Sequence, residues 1–263
     1  MTDWIKKNIW VTQLFLFVVS VTLVQVSPFY IIIVWGAYLA GLIVWTKTTQ
    51  VKESAKICLL YLIGYLVYVN VGNIIKASFI HHTEWGVILS RLSLIGMLIW
   101  FIIIRDKKTK YLAVGQWNNR IYFPFILKGP ISDPIWRFLL IFIAVTLMIF
   151  IWMIDWSRPD LGLLVLYAVC FAFINAVFEE LLWRGYILSR YVQVVGEVRG
   201  IIIAGIGFGF YHLHLGFSWW ICLLFALFGM MMSATAVRSQ GLLPVMVMHF
   251  TMNILFVLSG MIL

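Results

Sequence analysis

Long uninterrupted apolar runs recur from one end of this chain to the other, each near the length that crosses about 30 Å of hydrocarbon as a helix. Reading them off gives about nine, at 9–26, 29–45, 57–75, 87–104, 135–154, 161–182, 201–215, 219–237 and 242–263. Backbone N–H and C=O groups inside lipid have no water to bond, so runs of this kind fold as helices. The expected class is an all-α polytopic membrane protein of about nine transmembrane helices, or eight if the short run at 201–215 does not span separately. Composition agrees, since 63% of the 263 residues are hydrophobic and 11% charged, with a mean hydropathy of +1.03. Soluble domains hold roughly half apolar residues.

The charges give such a bundle a direction. With a cytoplasmic amino terminus, nine spans place all of the 19 Lys and Arg on the cytoplasmic side except Lys76, Arg91 and Arg158. That is the asymmetry of the positive-inside rule, and eight spans would break it. Topology and anionic lipid therefore account for the net charge of +9, and no nucleic-acid partner is implied. Trp45, Trp85, Trp136, Trp156, Trp219 and Trp220 fall near span ends, as an interfacial aromatic belt requires. Cys58, Cys170 and Cys222 lie in or at the edges of spans, with no Cys-x-x-Cys, and read as buried free thiols. The first run exceeds a signal-peptide core and leads into another span rather than a small-residue cleavage site, so it is expected to remain.

The longest connector, 105–134, carries Gly, Asn, Pro and much of the basic charge. It reads as a cytoplasmic loop lying against headgroups. It divides the chain into 1–134, four leading spans plus this loop, and 135–263, the trailing spans.

Ionisable groups within spans are costly, a few kcal/mol or more each, and mark function by default. Most fall in the trailing part: Glu179, Glu180 and Arg184 on the sixth run, His212 on the seventh, and His249 with Asn253 on the ninth. At about 1.5 Å per residue, Glu180 lies about 15 Å from Arg190, His212 about 20 Å from Arg199 and His249 about 16 Å from Arg238. Three helices would thus meet near one level. Glu180 and Arg184 are i and i+4 and can pair. Glu179 is rotated about 100° from its neighbour, which makes it the freer carboxylate and the better general base. His249 and Asn253, also i and i+4, share a face that could hold a developing oxyanion. Taken singly, a Glu–Arg pair or a His near a span end is more often structural; their coincidence on three helices favours function.

Other polar groups carry less. His81, His82 and Glu84 read as a solvated loop. Asp155 and Asp160 flank a short loop outside the spans, unlike an aspartyl intramembrane protease. Gly205 to Phe210, GIGFGF, follows no strand and reads as a small-residue helix contact rather than a dinucleotide fingerprint. The Ser of Gly216 to Trp220, GFSWW, has no supporting Ser–His pair.

Three motifs occur in order: EELLWR, Glu179 to Arg184, as Glu-Glu-x-x-x-Arg; FGFYH, Phe208 to His212, as Phe-x-x-x-His; and HFTMN, His249 to Asn253, as His-x-x-x-Asn. Together they resemble the CAAX-protease and bacteriocin-processing (CPBP, or Abi) family of intramembrane proteases, which includes the type II CAAX prenyl endopeptidases. The resemblance covers roughly 161–263. It implies that Glu179 and His212 hold and activate a water, that His249 and Asn253 stabilise the oxyanion, and that Glu180, Arg184 and Phe208 support them. It leaves the metal open. Glu179, His212 and His249 could make a zinc site, yet no His-Glu-x-x-His is present and a metal-free glutamate mechanism uses the same residues.

The expected function is intramembrane hydrolysis of membrane-associated peptides or proteins, in peptide maturation or bacteriocin self-immunity. The short loops suggest a bacterial plasma membrane. The alternatives are a non-catalytic scaffold or regulator of a sensor kinase or envelope enzyme and, more weakly, a proton-coupled transporter.

Overall fold

The computed structural model describes residues 3–104 and 109–262, apart from the side chains of residues 3–7 and Phe125. Arg105, Lys107 and Lys108, assigned by sequence to the basic connector, lie outside the described residues, as do the side chains of Lys6 and Lys7. The chain is largely helical: α1 (Asp3–Val26), α2 (Phe29–Trp45), α3 (Thr49–Ser78), α4 (Thr83–Ser90), α5 (Ile95–Ile103), α6 (Ile135–Phe150), α7 (Leu161–Glu180), α8 (Ser189–Val195), α9 (Glu197–Tyr211), α10 (Trp219–Ser239) and α11 (Leu243–Leu258). A 3₁₀ turn, Arg91–Leu94, joins α4 to α5, and another, His212–Leu215, ends α9. A π-helical segment, Leu181–Leu188, joins α7 to α8, so one helix runs on from Leu161 to Val195.

Each of the nine apolar runs contains helix, the last of them over Leu243–Leu258. Among the described residues, seven helical stretches are long and apolar enough to cross a membrane, while α2 and α11 have 17 and 16 residues. Breaks fall where the backbone demands them. Pro28 in an extended conformation precedes α2, and Gly196 at φ 85° turns the chain between α8 and α9. Trp45, Trp152 and Trp220, at span ends, are among the most exposed side chains, at 82%, 87% and 78%.

The helices alternate in direction, so the connections gather at two ends. At one, Lys110 pairs with Glu197 at 3.1 Å, the Gln116 N–H donates to the Ser239 carbonyl at 2.7 Å, and Asn119 donates to the Arg238 carbonyl at 2.8 Å. At the other, Gln25 bonds the Phe210 carbonyl and accepts from the His214 N–H, at 3.1 and 2.8 Å.

The connector departs from expectation. Arg120–Phe125 and Lys128–Pro134 form an antiparallel hairpin, β1 and β2, pairing Arg120 with Pro134 and Tyr122 with Ser132. Alternation explains it: Ile121 points inward and is fully buried, while Arg120 bonds Ser132 on the open side. Arg238 then donates to the Arg120 carbonyl at 2.7 Å, tying the hairpin to the end of α10.

The buried core draws on both parts of the chain, from Phe17 and Tyr61 to Trp183 and Phe208. Helices α9 and α10 pack closely because small residues face the contact: a Cβ added at Gly205 would lie 2.7 Å from the Met230 backbone nitrogen. Gly205→Leu should therefore force the two helices apart and destabilise the protein by about 1–3 kcal/mol. Thermal unfolding in detergent would register this as a lower midpoint, and an unchanged midpoint would contradict the close contact.

Candidate active site

The order Glu179, Glu180, Arg184 sits where α7 passes into the π-helical segment, a local widening common at functional sites. All three side chains are buried, at 3%, 0% and 0% exposure. Arg184 Nη1 donates to Glu180 Oε1 at 2.8 Å. Its Nη2 donates to the Gly229 carbonyl on α10 at 3.2 Å, and the guanidinium lies 4.3 Å from the centre of the Phe208 ring. A buried charge is tolerable only when paired and further bonded, and Arg184 meets both conditions. Sequence counting had grouped Arg184 and Arg190 with the basic charges of the cytoplasmic end, but both are buried.

His249 enters from α11. Its Nδ1 bonds the same Glu180 Oε1 at 2.7 Å, and its Nε2 stands 3.7 Å from Glu179 Oε2. Glu180 thus joins α7, the arginine and α11 through one carboxylate. The motif spacing anticipates its pairing with Arg184 but not its contact with His249, which depends on how α11 packs against α7.

His212 begins the 3₁₀ turn after α9, and its Nδ1 bonds the Phe208 carbonyl at 2.8 Å. The ring stacks on Phe225 at 4.2 Å and 8°, and meets Phe208 edge to face at 4.8 Å. Asn253 lies one helical turn beyond His249. Glu179, His212, His249 and Asn253 line one cavity of about 40 Å³. That suffices for a water. Glu179 Oε2 and Asn253 Nδ2 are buried and have no hydrogen-bond partner among the described residues. The structure brings together every site residue expected from sequence, with Phe208 as the aromatic wall between Arg184 and the two imidazoles.

Two further residues share this cavity. Asn175, one turn before Glu179 on α7, is buried with its Oδ1 unpartnered. Its i, i+4 spacing to Glu179 was a usable signal. Arg91 comes from the leading spans, is 7% exposed and lines the same cavity. Sequence counting leaves it off the cytoplasmic side within the run 87–104; it stands within Thr83–Ile103, and an arginine inside an apolar run was the signal. Asp155 and Asp160 stay away from the site on an exposed loop. Hydrogen bonds from Ser157 hold Asp155 below the ordinary carboxylate range, and those from Arg158 do the same for Asp160.

Among the described residues, no three His, Cys, Asp or Glu side chains form a group that could hold a metal ion. His212 and His249 each engage Nδ1, with the Phe208 carbonyl and with Glu180, which orients both rings and leaves Nε2 of each as the remaining nitrogen.

Residues 161–255 match the family model described as type II CAAX prenyl endopeptidase Rce1-like. The matched stretch contains all three motifs and runs from the start of α7 into α11. These spans are therefore similar to that family, the class that the motifs resemble, and they lie within a multi-pass membrane protein. No curated protein and no solved structure matches the chain.

Removing the cation alone would strand Glu180 in the bundle. Arg184→Met should cost about 3–5 kcal/mol, and Arg184→Met with Glu180→Gln should recover part of that loss. Unfolding of both variants in detergent checks this, and an additive double variant would show the pair is uncoupled.

Proposed function

We propose that the protein is an intramembrane endopeptidase in which Glu179 activates a water for attack on a peptide carbonyl. The observation that carries this is the buried, unbonded Glu179 Oε2 in a water-sized cavity beside His249, which Glu180 holds in place. His212 donates from Nδ1 to the Phe208 carbonyl, which leaves Nε2 as an acceptor able to hold a water hydrogen. Glu179 takes one water proton as the oxygen bonds to the carbonyl carbon. The oxyanion that forms is met by Asn253 Nδ2–H, with His249 lining the same cavity. Glu179 then passes its proton to the leaving nitrogen as the C–N bond breaks. No step needs a metal. Arg184 and Glu180 are positioning residues.

The substrates on this reading are membrane-associated peptides or proteins, in a bacterial cell membrane, with peptide maturation or bacteriocin self-immunity as the physiological setting. The amino terminus and the β-hairpin face the cytoplasm, as the distribution of basic residues favours.

Purified wild type and Glu179→Gln should be compared on a library of membrane peptides, with and without a zinc chelator. The expected result is a loss of about 10²-fold or more in the variant and no effect of the chelator. Cleavage retained in the variant would remove Glu179 from the reaction, and loss with chelator would replace the metal-free mechanism. A phenotype in cells that survives Glu179→Gln would favour the non-catalytic scaffold.

The orientation is checked by single cysteines at Lys128 and Ser157 in intact cells. A membrane-impermeant thiol reagent should label Ser157→Cys and spare Lys128→Cys; the reverse pattern inverts the topology.

A further inference from the structure

The leading spans contribute a second cavity that the proposed reaction does not use. It opens between α1, α3 and the two 3₁₀ turns, Arg91–Leu94 and His212–Leu215, with a volume of about 310 Å³. Arg91, Lys76, Tyr68, Asn73 and His214 stand in its wall, and none of its lining residues is Asp or Glu.

Arg91 belongs to both cavities. It is more than nine-tenths buried, and among the described residues it makes no ion pair within 4.0 Å. Its Nη1 donates to the neutral Tyr68 hydroxyl at 3.1 Å, its guanidinium lies 5.3 Å from the centre of the Phe171 ring, and its Nε has no partner. The field of Glu179 reaches it from the catalytic side. On the other side stands Lys76, in the last turn of α3, and the two cations act on each other and on His214 as like charges. Two cations facing one cavity without a carboxylate in its wall repel each other, most strongly away from water, and an anion between them reverses the sign. Three of the cavity's neutral donors are already engaged. Gln25 bonds the Val21 and Phe210 carbonyls, Ser90 the Val87 carbonyl and Ser93 the Ser90 carbonyl.

We propose that this second cavity binds a phosphate group, carried either by a lipid headgroup or by free phosphate, between Arg91 and Lys76. A guanidinium and an ammonium together offer donors in several directions, which suits tetrahedral phosphate oxygens better than a single planar carboxylate. Lys76 lies at a span end, the level at which headgroups sit. Because Arg91 also walls the catalytic cavity, an anion held there would sit next to Glu179 across one side chain.

The test reads binding and does not depend on turnover. Full-length protein in detergent is titrated calorimetrically with inorganic phosphate, dihexanoyl phosphatidic acid and hexanoate. Phosphatidic acid should bind saturably and hexanoate should not. Binding of inorganic phosphate as well assigns the site to the anion itself, whereas phosphatidic acid alone assigns it to a lipid headgroup; either supports the site. Arg91→Gln should weaken binding by about ten-fold or more, and Lys76→Gln by a few-fold. Lys76 is exposed, so its variant keeps the comparison decisive if Arg91→Gln does not fold. Absence of saturable binding by both phosphate compounds, hexanoate binding as tightly as phosphatidic acid, or unchanged affinity in folded Lys76→Gln would each overturn the proposal.

Discussion

One carboxylate, that of Glu180, holds the site together. It is fully buried, and its Oε1 accepts from Arg184 at 2.8 Å and from His249 Nδ1 at 2.7 Å. Ionised groups in a low-dielectric bundle are stable only as a mutually compensating set, so the π-helical segment, α11 and, through the Gly229 carbonyl, α10 are fixed relative to one another by that requirement. Glu179 benefits without taking part. Its neighbour uses the arginine, and its own Oε2 is left facing the cavity.

The leading spans are part of the same electrostatic unit. Arg91 reaches the cavity lined by Glu179 from the turn between α4 and α5, and Trp183, Phe208 and Tyr211 pack in the shared core with Phe17, Tyr61 and Tyr65 of α1 and α3. The stretch 161–255, which matches the Rce1-like family model, accordingly lies within walls that residues ahead of it help to build. The surplus of cations near Lys76 and Arg91 is the counterpart of the surplus of carboxylates at Glu179 and Glu180. Proteins seldom leave such charge inside a membrane without a functional reason.

Much of this was legible from residue order. Apolar runs of near-bilayer length specify helices because lipid leaves the backbone no other partner, and every run holds a helix. The i, i+4 spacing of Glu180 with Arg184 and of His249 with Asn253 fixes shared faces whatever the helices pack against. The hairpin at 120–134 escaped because its alternation is short and interrupted by prolines, so it reads as loop until Ile121 finds its place against the bundle. Arg91 escaped because charge near a span end is equally compatible with the water side, and only burial distinguishes the two.

The sequence by itself determined the class, a multi-pass helical membrane protein, and the three helices that carry the ionisable residues, since both follow from local properties: hydropathy, run length and helical period. Only the tertiary structure decided which of two adjacent glutamates bonds His249, that Asn175 and Arg91 share the cavity, and that a second, cation-lined cavity lies beside it. Those outcomes depend on the rotation and approach of helices distant in sequence, such as α11 against α7, and packing of that kind is set by side-chain shape across the whole bundle rather than by any local pattern.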